Sequence, residues 1–418
     1  MSDYITHAKS IIKNNSRGNF TIPCDALYPF QWNWDSVFSA LGIYMYDSER
    51  AISELKMLLK GQLNNGMIPH IIFHNQSDTY YPGPDVWESD TTPETSLISQ
   101  PPVLASIIWQ MMMHGYRNEE TLSYFYNCIL KYHKWFIENR DPHNIGLISV
   151  FHPWESGRDN SPDWDDAMSY IPVDESLIFD RKDDSHIDAS NRPTNDDYNR
   201  YMQIVFKCKE LDWNSERIYE EGLFNVCDPG IQFIFIRACK DLYRIASFLH
   251  KDDDLPMIER WITEYSMGCE CLWHTELKTF TSLNIKTNRL FEGISSASLL
   301  YAYADVGTKE QREEMLFNTR QMIYYSKYCV PSFHPNHMKF DCKKYWRGPI
   351  WCVINYLLYK GFTDIREVEI ANTIKKHTIA LVERNGFYEY FDPYTGEGYG
   401  GNNFSWTAAI YVVLKKGT

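Results

Sequence analysis

Apolar residues recur along most of the chain at helical spacing. Ala51, Leu55, Leu58, Leu59 and Leu63 form one stripe with the period of an amphipathic helix, closed by Asn64-Asn65-Gly66. Similar stripes run near 119–139, 230–249, 254–273, 308–328 and 363–384. Alternating with them are segments that are apolar on nearly every side, at 35–46, 101–114, 293–306, 347–360 and 404–415. A helix apolar all round must be buried, whereas an amphipathic one can cover it and still meet water. The alternation predicts about a dozen helices in an inner and an outer layer, an all-α toroid of helical hairpins. No fixed-period repeat of the kind that marks a solenoid is visible. Strand-like alternation is scarce, and only 276–291 predicts a small hairpin. No low-complexity linker interrupts the pattern, so residues 1–418 read as one domain, with loop insertions around 65–100, 140–193 and 329–346.

Polar, Gly- and Pro-containing loops precede the apolar segments: Q-W-N-W-D at 31–35, S-Q-P-P at 99–102, N-R-P-T at 191–194, Y-W-R-G-P at 345–349 and G-G-N-N-F-S-W at 400–406. In a ring these entries gather at one mouth, giving a polar pocket with aromatic walls.

Composition narrows the partners. The 418 residues carry a net charge of -14 without a Lys/Arg run, so nucleic acid and anionic membrane surfaces are excluded as partners. An anionic ligand would need a locally placed cation. Thirteen Trp and 29 Tyr suit stacking on sugar faces, although a large aromatic core accounts for much of this content. The 10 Cys include no C-x-x-C pair and read as reduced, buried thiols, with no zinc site. The N-terminal M-S-D-Y-I-T-H-A-K-S-I-I has no signal-peptide core and no apolar run reaches membrane length, so a cytoplasmic protein is expected.

Two carboxylate clusters remain. Trp154–Asp166 places Glu155, Asp159, Asp163, Asp165 and Asp166 among tryptophans and turn formers, and F-Y-E-Y-F-D-P-Y-T-G-E-G-Y-G-G holds Glu389, Asp392 and Glu397. The first could be a plain surface loop, a calcium loop or half of an acid/base pair. Two carboxylates facing one another across a sugar-sized pocket are what glycoside hydrolysis requires. The residues alone do not choose among the carboxylates of the first cluster.

The ordered set Q-W-N-W-D-S-V-F, N-N-G-M-I-P-H-I-I-F, S-Q-P-P, W-E-S-G-R-D-N-S-P-D-W-D and E-Y-F-D-P-Y-T-G…F-S-W-T-A-A, from about Tyr28 to Trp406, resembles glycoside hydrolase family 63. The resemblance implies an (α/α)6 barrel and an inverting α-glycosidase without cofactor or metal. It makes Asp159 the general acid and Glu389 the general base, with carboxyls roughly 6.5–9.5 Å apart. Trp34 and Asp35 would hold the innermost sugar, with Trp32 and Gly157 from the same motifs beside them, and Trp154, Trp351 and Trp406 would wall the pocket. The chain's compactness is similar to the branch that hydrolyses mannosylglycerate and glucosylglycerate. There Arg192, Tyr198, Gln100, Tyr345 and Trp346 would grip the glycerate, with Tyr28 and Tyr81 as helpers. One departure stands out: Asn402-Asn403 precedes F-S-W-T-A where the family has Gln.

Arg192 has a plainer alternative, pairing with Asp188 or Asp196 at the surface. If functional, its place before Pro193 would also aim helix N–H groups at the anion. Competing functions are an α-glucosidase for neutral oligosaccharides, a catalytically silent sugar-binding barrel, and an epimerase using histidines such as His70, His74 and His152. The expected partner is a small glycoside; glucose against mannose, and homo-oligomerisation, stay open.

Overall fold

The computed structural model describes residues 2–179, 181–182 and 188–417, and in it the apolar patterns become two layers of helix. In chain order the principal helices are α1 (Ser2–Asn14), α2 (Asn33–Tyr44), α3 (Ser48–Leu59), α4 (Leu104–Met113), α5 (Glu119–Arg140), α6 (Asn195–Glu210) and α7 (Pro229–Phe248). They continue as α8 (Leu255–Gly268), α9 (Ser296–Leu299), α10 (Tyr301–Ala304), α11 (Lys309–Tyr324), α12 (Cys352–Asp364), α13 (Val368–Asn385) and α14 (Ser405–Lys416). Helix α2 packs on α4, α4 on α7, α7 on α10, α10 on α12, α12 on α14, and α14 returns to α2. Together they close the inner ring of an (α/α)6 barrel. Five of the six come from the nearly all-apolar segments. The sixth, α7, comes from the stripe at 230–249 that reads as an outer, amphipathic helix, and it can lie inside because its Arg237 and Asp241 are buried as an ion pair. Outside it, α3 lies on α2, α5 on α7 and α4, α8 on α7, and α13 on α12 and α14. Helix α1 lies along α14, so the first and last helices form the closing hairpin.

The seam between α2 and α14 is tight because position 42 has no side chain. A Cβ there would lie 2.4 Å from the Ala409 Cα. Backbones approach this closely only over glycine.

Several elements differ from the sequence reading. The helix begun at Ser48 ends at Leu59, before Leu63, whose N–H turns to the Met67 carbonyl. The segment 293–306 is two short helices rather than one. Two hairpins, not one, occupy the region around 276–291: Trp273–His274 with Thr279–Phe280, and Leu283–Asn284 with Arg289–Leu290. The loop N-R-P-T leads into α6, which is amphipathic and not one of the helices of the inner ring. Part of the insertion expected at 140–193, residues 180 and 183–187, lies outside the described residues. Among the described residues no helix is long and apolar enough to cross a membrane.

The inner helices start at one mouth. Trp34 and Asp35 stand in the first turn of α2, Gln100 precedes α4, Trp351 precedes α12, and Trp406 opens α14. Their side chains converge on a single pocket.

Candidate active site

The pocket at this mouth has a volume of about 730 Å³, including its open entrance. One wall comes from the Trp154–Asp166 stretch. A 3-10 turn, Pro153–Ser156, ends at Gly157, whose φ of +68° no other residue adopts easily. A Cβ at Gly157 would also lie 2.5 Å from the Trp34 indole, so glycine here brings the chain against that ring. Two residues on, Asp159 reaches the pocket. The Tyr201 hydroxyl donates to the Asp159 carbonyl at 2.9 Å, and the Trp164 indole N–H donates to the Arg158 carbonyl at 2.6 Å. The Arg158 guanidinium donates to Asp163 at 2.8 Å and to Asp228 at 2.7 Å, all three side chains being buried. This buried ion cluster fixes the backbone on both sides of Asp159.

The other four carboxylates of the stretch have structural work. Glu155 takes the Arg140 guanidinium and the N–H groups of Phe151 and Ser99. Asp163 belongs to the Arg158 cluster. Asp165 takes Arg347 at 2.9 and 2.7 Å and Lys339 at 2.9 Å, and although burial works against it, those cations hold its carboxyl below the usual range. Asp166 accepts from the Asn284 amide at 2.8 Å. Of the five, only Asp159 lines the pocket. Like charges that look concentrated in the sequence are thus divided among separate partners. Among the described residues no group of His, Cys, Asp or Glu is placed to hold a metal ion, so the calcium reading finds no ligand set.

The opposite wall carries Glu389. Its Oε1 accepts from the Tyr28 hydroxyl at 3.0 Å and the Tyr345 hydroxyl at 3.3 Å, and its Oε2 accepts from the Gly401 N–H at 3.1 Å. The Arg192 guanidinium lies 3.7 Å from Oε1. Burial pushes the Glu389 carboxyl up, while Arg192 and these donors pull it back. Asp35 feels burial first and then the charges of Glu389 and Asp159, and its carboxyl is pushed well up. Three carboxyl groups therefore share one pocket with a single described cation on its lining.

Aromatic rings make the rest. Trp346 and Trp351 stack at 3.8 Å with their planes 3° apart, and the Trp351 indole N–H donates to the Tyr345 carbonyl at 3.2 Å. Trp34 meets Trp406 edge-on at 5.5 Å. The Trp406 indole N–H is buried without a hydrogen-bond partner, a donor aimed at nothing in the protein. Trp32 packs between Tyr28 and Tyr80, and Trp154 stacks near His70. The Trp34 N–H donates to the Gln100 amide oxygen at 3.2 Å, which fixes the face Gln100 presents.

Of the sixteen residues expected at the site, fifteen line this pocket: Asp159, Glu389, Tyr28, Trp32, Trp34, Asp35, Gln100, Trp154, Gly157, Arg192, Tyr198, Tyr345, Trp346, Trp351 and Trp406. Tyr81 does not. Its ring stacks on Phe179 and its carbonyl accepts from the Tyr198 hydroxyl at 2.5 Å, while the neighbouring Tyr80 turns inward. Tyr80, Tyr201, Pro23, Pro193 and Phe404 also line the pocket, although the sequence does not single them out, since each lies outside the quoted motifs or between their polar positions.

The surface alternative for Arg192 is overturned. The residue is 4% exposed and its guanidinium lies over the Tyr345 ring at 4.1 Å. The expected help from a helix N-terminus is corrected too. Helix α6 is capped by its own Thr194–Asp197 box and carries Asp196 and Asp197 in its first turn, so its N–H groups do not present a ready anion site. Asn402 and Asn403 are exposed and outside the pocket, so the departure from the family pattern does not reach the site. His70 and His152 are buried, and burial lowers both, His152 to about 3. His70 bonds Ser96 Oγ at 2.7 Å, and His152, which does not line the pocket, donates to the Tyr201 carbonyl at 3.0 Å, so the two do not offer the facing acid and base of an epimerase.

Residues 28–407 match the family described as the mannosylglycerate hydrolase MGH1-like glycoside hydrolase domain. The chain is 39% identical over 411 residues to mannosylglycerate hydrolase of Thermus thermophilus, covering 96% of this chain and 98% of the relative. It is 29% identical over 431 residues to glucosylglycerate hydrolase of Mycolicibacterium hassiacum, covering 97% and 96%. A crystal structure of a GH63 mannosylglycerate hydrolase from Thermus thermophilus in complex with Tris and D-glycerate superposes with a TM-score of 0.94 at 38% identity, over 99% of this chain and 100% of that one.

Proposed function

The chain belongs to the MGH1-like glycoside hydrolases of family 63, and from that premise we propose that it hydrolyses the α-glycosidic bond of mannosylglycerate or glucosylglycerate to the free hexose and glycerate. The observation that carries the assignment of roles is the division of carboxylates: one from the Trp154–Asp166 stretch and one from the far end of the chain reach a common pocket. Asp159 gives its proton to the glycerate oxygen as the bond to the anomeric carbon breaks. A water on the opposite face attacks that carbon and passes its proton to Glu389, and the configuration inverts. Solvent then restores both groups. Asp35 holds the sugar hydroxyls, and the Trp346/Trp351 stack supplies an apolar platform.

Arg192 receives the glycerate carboxylate. In a chain of net charge -14, a pocket with three carboxyl groups would repel that anion unless a fixed guanidinium met it. A neutral aglycone offers this guanidinium no charge of its own to meet, which favours a glycerate glycoside over a neutral oligosaccharide.

Proton NMR of the first-formed product tests the reaction, and the β anomer is expected from either α-linked substrate. Asp159→Asn should lower kcat by about 10²–10⁴-fold on these poor leaving groups. The Tyr201 and Trp164 bonds end on backbone carbonyls and survive the substitution, so the variant should fold. Initial release of the α anomer, or near-native turnover by Asp159→Asn, would remove the assignment.

A further inference from the structure

Arg192 faces two anions that the reaction sets in competition. Its guanidinium lies 3.7 Å from Glu389 Oε1, with the two side chains 5% and 2% exposed. On the functional reading above, on which this inference rests, the same guanidinium receives the glycerate carboxylate. We propose that Arg192 transfers its charge from the general base to the substrate, so that an arriving carboxylate makes Glu389 a stronger base at the moment the bond is to be broken.

The groups around Glu389 allow this. Among the described residues, Tyr28 and Tyr345 donate hydroxyls to it, Gly401 donates an N–H, and the Cys24 thiol, the Tyr390 ring, Asp35 and Asp159 lie near enough to feel its charge or share its pocket. Arg192 is the one cation in this set. The neutral donors carry no charge that a ligand carboxylate could cancel. A carboxylate paired with the guanidinium instead cancels the positive charge that Glu389 feels and adds a negative one beyond it. In a buried site a single nearby charge moves a carboxyl by about one to three pH units.

The direction suits the chemistry. With the pocket empty, Arg192 opposes the burial that pushes the Glu389 carboxyl up, and so favours its ionised form. With a glycerate glycoside in place the cation is engaged elsewhere, and Glu389 takes the water proton more readily. A neutral glycoside leaves Arg192 on Glu389 and meets a weaker base. Selectivity for the anionic aglycone is then expressed in kcat as well as in KM.

Calorimetry with D-glycerate and the whole chain, repeated at mildly acidic pH in buffers of different ionisation heat, reads the coupling without turnover. Binding should take up a fraction of a proton, rising as pH approaches the carboxyl's own range. Glycerol should bring no uptake. In Glu389→Gln the uptake should vanish while D-glycerate binds several-fold more tightly, because Arg192 is no longer shared, and in Asp159→Asn the uptake should persist. Binding without uptake at any pH overturns the inference while leaving the function standing. So does uptake that survives in Glu389→Gln or disappears in Asp159→Asn. Failure of D-glycerate to bind at all would instead overturn the functional reading, and the inference with it.

Discussion

Arg192 is a buried cation against a buried carboxylate, and both facts set what its loss does. Arg192→Ala should lower kcat/KM on mannosylglycerate or glucosylglycerate by about 10²-fold or more, the size expected when a buried charge-assisted contact is lost. On the glycerol analogue activity should already be poor and should not fall further, because there Arg192 stays on Glu389 and only weakens the base. Equal losses on both substrates, measured by initial rates, would make Arg192 structural. Residues of this kind are legible in the sequence only through their motifs. Asp159 cannot be told there from Glu155, Asp163, Asp165 or Asp166, because what separates them is Arg140, Arg158, Arg347 and Asn284, which only the fold delivers. The sequence points to Tyr81 rather than Tyr80 in a loop without regular structure, where no period says which of two adjacent rings faces in.

The inner helices carry the second scale. Gly42 lets α2 touch α14, and the atom a methyl would meet is backbone, which cannot rotate away. Gly42→Ala should therefore cost about 1–3 kcal/mol, the usual penalty of overpacking, despite its better helix propensity. Thermal denaturation checks this, and a rise in Tm would mean that the seam can open freely. Because Trp34, Asp35 and Trp406 ride on these two helices, kcat should fall as well. The outer helices are easy to read because a 3.6-residue stripe survives in sequence, and most inner ones because they lack a polar face; α7 is misread as outer because Arg237, Lys240, Asp241 and Arg244 give it such a face. The two-residue strands are not, since alternation needs a longer run than they offer. Nor is the break between α9 and α10, where an unbroken apolar stretch hides the interruption at Leu300.

Taken whole, the molecule buries ionisable groups of both kinds, and they answer acid in opposite ways. Asp35, Glu54, Asp228 and Glu389 are raised by burial, so they bind protons in the fold before they do in the unfolded chain. Buried histidines do the reverse. His133, fully buried and donating from Nδ1 to the Ile129 carbonyl, is lowered by burial from 6.5 to about 4. Its neutral form is favoured in the fold, so stability from this group is lost as pH falls from 6.5 toward 4. In that window His133→Gln should gain on the wild type by about 1.4 kcal/mol per pH unit. Denaturant unfolding at several pH values measures the difference, and a constant difference would show that His133 titrates normally. The closing hairpin of α1 and α14 has a consequence for how the chain reaches this state. Asn15 donates to the Asn403 carbonyl at 2.8 Å and to Ser405 Oγ at 2.9 Å, contacts between residues 388 and 390 positions apart. During synthesis α1 emerges well before α14, its inner partner, and waits until nearly all the intervening ring has been made. Such long-range closure is slow and leaves an apolar stripe uncovered meanwhile. Refolding should thus end on the docking of α1, and until then the nascent barrel is an open arc with a sticky edge at each side, the stage at which a chaperone would find the most to hold.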